Sequence, residues 1–256
     1  MKIILAIDIA IAAKPWCLLI FRVSINVFPL PPVLSDQHSV LSNQHPVLPV
    51  QPLKAIAPSW FARPAEMVAP ELVGCRLVRQ LAQGKTLQGL IVETEAYGPT
   101  DPACHGFRGK TARNAVMFGP AGVSYVYFIY GRYYCLNVVC DRPGIASAVL
   151  IRALWLPCVP QWINRGRVRH DHQVAAGPGR LCRALEIDRS LDGLPFSAGN
   201  DLRIAPRSAD LAQQLQRYPG WLQQTTRIGL TKAKDWPWRW YLAHCPAVSR
   251  LPKRDR

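Results

Sequence analysis

Two glutamates, Glu93 and Glu95, close an apolar stretch in the run Val92-Glu-Thr-Glu-Ala-Tyr97. In a strand, residues i and i+2 share one face and lie about 7 Å apart at ~3.3 Å per residue. A carboxylate at the mouth of a core can serve as a general base; the plainer alternative is that strand-end glutamates are simply solvated. Arg152 is the second anomaly, set inside Ala148-Val-Leu-Ile-Arg-Ala-Leu154. A guanidinium in such a strand has to be paired, since burying it alone costs several kcal/mol, roughly, and one of the two glutamates is its natural partner. Asn137, in Tyr134-Cys-Leu-Asn-Val-Val139, is a polar amide in a buried-looking strand and needs hydrogen-bond partners, structural or substrate.

Aromatic residues and charge supply a second theme. Tyr125 and Tyr127 share a strand face, Tyr130 falls at a Tyr130-Gly131 turn, and Tyr133 and Tyr134 follow. An exposed aromatic tip can act as a wedge between stacked bases. For Tyr125, Tyr133 and Tyr134 an ordinary cross-strand cluster is the better reading. The chain carries 31 Lys+Arg against 16 Asp+Glu, a net charge of +15. From Gly106 to Arg183 stand ten arginines and one lysine with only Asp141 and Asp171 opposing them. A field of that density attracts polyanions, and arginine favours phosphate and planar groups; a solvated basic surface is the alternative.

Several classes are unsupported. No phosphate-binding or dinucleotide fingerprint occurs, and the zinc base-deaminase pattern is missing. The eight cysteines form no C-x-x-C pair or zinc-like spacing and read as buried reduced thiols, several of them within apolar strands. His170-Asp171-His172 reads as loop rather than metal site. No metal or cofactor is expected. No run of about twenty uncharged apolar residues is present, so no membrane span is expected.

The elements that must position these residues begin near Pro58. Before it, residues 1–57 hold an apolar stretch to Phe28, whose Asp8 argues against a signal peptide, and then a seven-residue repeat. The repeat runs Pro32-Val-Leu-Ser-Asp-Gln-His38, Ser39-Val-Leu-Ser-Asn-Gln-His45 and a decayed Pro46-Val-Leu-Pro-Val-Gln-Pro52. Its prolines exclude a coiled coil. A low-complexity, disordered extension is expected, or upstream repeat DNA translated behind a misassigned start. From Pro58 to the end, one domain is expected. Ala65–Leu72 reads as a short helix, 76–80 and 86–96 as a hairpin, and 123–129 with 132–140 as a second hairpin. A strand over 146–155 and a helix over 180–187, opened by Gly177-Pro178-Gly179, follow. The aromatic run Trp236–Tyr241 reads as core or a last strand. Without βαβ alternation the expected class is α+β: a single mixed domain with a curved, mainly antiparallel sheet, flanking helices and a protruding β-hairpin.

Taken together, Val92-Glu-Thr-Glu-Ala-Tyr-Gly98, His105, Arg113-Asn114, Met117-Phe118, Tyr125-Val-Tyr-Phe-Ile-Tyr-Gly131, Asn137, Leu150-Ile-Arg-Ala153 and Gly177-Pro-Gly-Arg-Leu181 resemble the alkyladenine (3-methyladenine) DNA glycosylase family. The likeness runs in order from about Trp60 to Ser249. The loop Gly98–Cys104 is one residue shorter than the family form, and Trp155–Ala176 is less alike, with its own Arg165, Arg167 and Arg169. The resemblance implies that Glu95 is the general base activating water and that Arg152 orders that water and the carboxylate. It implies that Tyr97 and His105 line one side of a flipped base, that Tyr127 stacks opposite, and that Leu150 forms an apolar wall. Asn137 would exclude guanine through its 2-amino group. Tyr130 would enter the minor groove, with Gly131 beside it and Arg180 among the DNA contacts.

The implied activity is monofunctional hydrolysis of the glycosidic bond of alkylated purines in base excision repair. No lysine falls on a matched position, so no Schiff-base step is expected. The implied partner is double-stranded DNA containing alkylated or deaminated purines, met by a monomer in the cytoplasm, at the nucleoid if the source is bacterial. Two rival readings differ in kind. A glycoside hydrolase acting on free sugars needs its carboxylates on opposite sides of the bond, whereas Glu93 and Glu95 project from one strand. A non-catalytic nucleic-acid-binding module explains charge and aromatics but leaves Glu95 and Arg152 without a purpose.

Overall fold

Thr94, between the two glutamates, points away from them and donates its hydroxyl to the Ala69 carbonyl at 2.9 Å. That buried bond ties the strand that carries the glutamates to the first helix. A computed structural model describes residues 54–250 of the chain. Helix α1 (Ala65–Leu72) buries Ala65, Val68, Ala69 and Leu72, and Pro70 lies inside it. Strand β1 (Arg76–Gln80) follows, then the twelve-residue β2 (Thr86–Tyr97). A hairpin of β3 (Ser124–Ile129) and β4 (Tyr133–Val139) comes next, and then β5 (Ala148–Trp155). Helix α2 (Pro178–Ala184), β6 (Leu202–Ala205), α3 (Ala209–Arg217), β7 (Leu222–Thr225) and β8 (Arg239–Leu242) complete the order.

The strands form one curled sheet in the order β3-β4-β5-β2-β1-β6, with every ladder antiparallel. The α+β expectation holds. β2 lies at its centre because it is long enough to take two neighbours on one edge. Thr86–Leu90 pair with β1, Glu93–Glu95 pair with β8, and β5 runs along the other edge. Flanked on both edges and covered on both faces, β2 is buried almost throughout rather than alternately.

The β2–β5 register slips where the glutamates sit. Ile91 pairs with Leu154, Glu93 with Ala153 and Thr94 with Ile151, so Val92 and Arg152 are passed over. Such irregularities bend a strand and re-aim a side chain. Here the re-aimed side chain is Arg152.

The sequence expectations for α1 and β1 coincide with the observed bounds, and those for the two hairpins lie within about two residues. Helix α2 begins at Pro178, where the missing N–H costs nothing, and stops at Ala184, with Glu186 in the left-handed region at φ 51°. Its close packing on the hairpin depends on Gly179, where a Cβ would lie 2.9 Å from the Tyr133 ring. β6, α3 and β7 lie beyond the sequence expectations. Of these α3 had a readable start, since Ser208 accepts the Leu211 N–H as N-cap. The Ile56 N–H donates to the Ile204 carbonyl at 2.8 Å, so the described chain joins the β6 edge a little before Pro58. The repeat and the apolar N-terminal stretch lie outside the described residues. No described helix is long and apolar enough to cross a membrane.

Candidate active site

Arg152 reaches both glutamates at once. Its Nε donates to Glu93 Oε1 and its Nη1 to Glu95 Oε2, each at 3.1 Å. Both carboxylates are wholly shielded from solvent and Arg152 is 7% exposed. Glu93 is also met by Arg239 Nε at 2.7 Å and by the Ser249 N–H at 2.7 Å. Burial pushes the Glu93 carboxyl up, but Arg152, Arg239 and Ser249 outweigh it and hold it below the usual carboxylate range. For Arg152, burial acts against the charge, and Glu95 and Glu93 more than restore it, so it stays protonated. Two carboxylates and two guanidiniums thus balance in one buried network, the condition under which buried charge is tolerated.

Glu95 has different company. Its Oε2 accepts the Tyr97 hydroxyl at 2.9 Å as well as Arg152, and its Oε1 accepts the Ile228 N–H at 2.8 Å. The two oxygens of a carboxylate offer about four lone-pair sites, and three are taken here, so one is left for a further donor. Burial and the neighbouring Glu95 charge push the Tyr97 phenol well up, keeping it a donor.

A 130 Å³ cavity opens beside this centre, lined by Tyr97, His105, Tyr125, Tyr127, Asn137 and Leu230 among others. It adjoins a larger groove of 850 Å³ that shares Tyr97, Tyr127 and Leu230 and adds Leu150, Arg152 and Tyr130. The sequence-predicted residues therefore come together: Tyr97, His105, Tyr127 and Asn137 at the inner cavity, Leu150 and Arg152 at its entrance. Asn137 is fixed by donating Nδ2 to the Tyr125 carbonyl at 2.9 Å. His105 Nδ1 pairs with the Tyr125 hydroxyl at 2.9 Å. Burial first, and then Arg113, lower the His105 pKa, leaving the ring neutral at neutral pH.

One expected arrangement is corrected. Tyr97 and His105 were expected on one side of a bound ring, with Tyr127 on the other. Instead the His105 and Tyr127 rings meet edge to face, centroids 4.6 Å apart at 71°. A flat ring needs about 3.5 Å on either face, so nothing stacks between these two. They form one wall, and Tyr97, from β2, belongs to another.

At the hairpin tip Tyr130 is 80% exposed. Tyr130 and Gly131 adopt φ of 52° and 65°, the left-handed pair of a type I′ turn. The conformation suits glycine at 131 and costs a bulky residue at 130. Arg132, Arg167, Arg180 and Arg183 line the groove beside Tyr130. The three arginines of the less similar segment separate: Arg167 lines the groove, Arg165 pairs with Asp171 and so is less free, and Arg169 is exposed. His170 and His172 stack on each other, and among the described residues no three His, Cys, Asp or Glu are grouped to hold a metal. Among the described residues six cysteines are buried and Cys158 is exposed.

Sequence reasoning missed Arg239, Ser249 and Ile228, which complete the carboxylate network, and the buried pair Asp101–Arg227 behind it. Arg239 was detectable in principle: a charge inside Trp236-Pro-Trp-Arg-Trp-Tyr241 is the same anomaly as Arg152. A backbone donor such as Ile228 leaves no trace in residue type.

The family model for methylpurine-DNA glycosylase (MPG) matches residues 59–246. A protein of Trichodesmium erythraeum is 50% identical over 202 residues, covering 77% of this chain and 98% of its own length. One from Synechococcus elongatus is 51% identical over 195 residues, covering 76% and 90%. One from Carboxydothermus hydrogenoformans is 43% identical over 192 residues, covering 75% and 96%. Each of the three bears the name "Putative 3-methyladenine DNA glycosylase".

Proposed function

The chain belongs to the methylpurine-DNA glycosylase family, and on that premise we propose that it is a monofunctional 3-methyladenine DNA glycosylase of base excision repair. It flips an alkylated purine out of duplex DNA and hydrolyses the N-glycosidic bond. One observation carries this reading: Glu95 is held by the Tyr97 hydroxyl and by Arg152, and Tyr97 lines both an aromatic cavity and the adjoining arginine-lined groove, in which Arg152 also takes part.

The chemistry needs one water. Glu95 takes a proton from it as the water oxygen bonds to C1′ of the sugar. The C1′–N bond breaks, and its electron pair leaves with the base. Arg152 holds Glu95 aimed, and Tyr97 and Ile228 fix the carboxylate plane. Such general-base assistance contributes about 10²–10⁴-fold. A purine alkylated at N3 or N7 carries positive charge, so it departs as a neutral base, which makes it a good leaving group and a good partner for tyrosine faces. Stacking is worth about 1–3 kcal/mol per base, with cation–π attraction added. Tyr97 and the Tyr127–His105 wall supply those faces, Leu150 an apolar border, and Asn137 the amide that excludes unmodified guanine through its 2-amino group. Tyr130, with Gly131 setting the turn, fills the space the base vacates. Arg180 and its neighbours meet phosphates.

The partner is double-stranded DNA carrying alkylated or deaminated purines, engaged by a monomer in the cytoplasm or at the nucleoid. A single-turnover assay tests this on duplexes each holding one 7-methylguanine, hypoxanthine or ethenoadenine. Release of at least one base well above its spontaneous loss is expected. Binding without any release would overturn the enzymatic reading in favour of a non-catalytic DNA-binding module.

A further inference from the structure

Against the Tyr97 ring lies a buried ion pair that the reaction itself does not use. The Arg227 and Asp101 side chains are both wholly shielded from solvent. Arg227 Nη2 donates to Asp101 Oδ1 at 2.9 Å, and Nη1 meets Asp101 Oδ2 and the Ala96 carbonyl, the latter at 2.9 Å. The guanidinium lies over the Tyr97 ring, 4.7 Å from its centroid, with the Trp238 ring 5.5 Å away. The next residue, Ile228, donates its N–H to Glu95. Asp101 in turn shapes the loop ahead of His105: its Oδ1 accepts the Ala103 N–H, and its carbonyl accepts the Cys104 N–H, each at 2.9 Å.

One guanidinium–carboxylate pair therefore touches three parts of the centre. It covers one face of Tyr97, leaving only the other for a base. It anchors the backbone donor that holds Glu95. It also braces the loop that delivers His105 to the Tyr127 wall. From this we infer that Arg227 and Asp101 are positioning residues that set the rate of base excision rather than the affinity for DNA. The inference rests on the glycosylase reading above.

Fold stability by itself gives a weak reason for the pair. A buried ion pair can commonly be replaced by apolar residues without loss. Arg227 also leaves its Nε buried without a hydrogen-bond partner, a cost that a purely structural residue has no cause to keep. What the planar fork does supply is a fixed geometry: two parallel bonds to Asp101 and a flat surface under Tyr97.

The test uses the full chain, the double variant D101N/R227M and the single variant R227K. Asp101→Asn retains the acceptor for the Ala103 N–H, so the double variant removes both charges together. R227K keeps the charge but loses the fork and the flat face. Single-turnover excision is measured on a duplex lesion the parent cleaves, alongside affinity for the undamaged duplex and the thermal midpoint. The folded double variant should lose about 10²-fold in rate, the scale of an ångström of misplacement, with R227K losing less and undamaged-duplex affinity unchanged. Parent-like excision by the folded double variant overturns the inference, as does a rate loss matched by an equal loss of undamaged-duplex affinity. If the double variant does not fold, R227K decides: a lowered rate at unchanged affinity supports the inference, and a parent-like rate overturns it. A parent that releases no base at all overturns the glycosylase reading itself. A parent that is active while its variants remain fully active overturns only the positioning role.

Discussion

The Tyr97 hydroxyl donates to Glu95 Oε2 at 2.9 Å, on the same oxygen that accepts Arg152. Tyr97 is thereby both a wall of the cavity and a ligand of the carboxylate. A base stacking on that ring would settle against a surface whose tilt is already fixed by Glu95 below and Arg227 behind.

Glu95→Gln retains the size of the side chain but cannot take a proton. Excision in single turnover should fall by about 10²–10⁴-fold, while affinity for lesion duplex changes little. Near-parental excision by this variant would remove Glu95 from the mechanism.

Glu93 predicts a pH dependence of stability. Its folded pKa is depressed, whereas an unfolded glutamate titrates near about 4.3. The stabilisation is therefore present above that value and is lost as pH falls below it through the folded pKa. Glu93→Gln leaves Arg152 and Arg239 under-compensated and should cost about 3–5 kcal/mol near neutral pH, while flattening the acid limb. Urea unfolding of both proteins across that range checks it; an unchanged acid limb in Glu93→Gln would show that other groups control it.

At the hairpin tip, stability and function should move in opposite directions. Asparagine accepts the left-handed conformation more readily than tyrosine, so Tyr130→Asn should hold or raise stability by up to about 1 kcal/mol. Excision from duplex should nevertheless fall, and fall further than from a single-stranded lesion. Equal losses on the two substrates would make Tyr130 a part of the pocket instead.

The groove arginines predict a salt dependence. Affinity for undamaged duplex should fall with salt at a log–log slope near −0.9 per phosphate neutralised. Arg167→Ala and Arg180→Ala should each flatten that slope by about one such unit. Arg165→Ala, with Asp171 already beside Arg165, should alter it less. Titrations at several salt concentrations distinguish the three, and an effect of Arg165 equal to that of Arg167 would refute the assignment.

Removal of residues 1–53 should leave folding and excision intact, because the family match begins at residue 59 and the first described tie to the sheet is Ile56. Solubility, thermal midpoint and single-turnover rate of the truncated protein are the measurements. Loss of lesion-specific excision by a folded truncation would give the N-terminal segment a function.

Much of the site can be read from the chain because its signals are local. Period-two alternation puts Glu93 and Glu95 on one face, the Tyr130-Gly131 pair demands a tight turn, and a charge among aliphatics marks Arg152 for a partner. Which partner is another matter. Arg152 reaches both glutamates because the β2–β5 register slips beside it, and a slip depends on two strands over fifty residues apart, not on either strand's own pattern. The same limit applies to Arg239 and Ser249 on Glu93, and to Arg227 on Asp101, 126 residues apart in sequence. Residue type announces that a buried charge needs an opposite, but only chain closure selects which one arrives. The walls of the cavity show this at the smallest scale. That Tyr97, His105 and Tyr127 are aromatic is written in the sequence, whereas the edge-to-face contact that puts His105 beside Tyr127 depends on where the Asp101 loop lands.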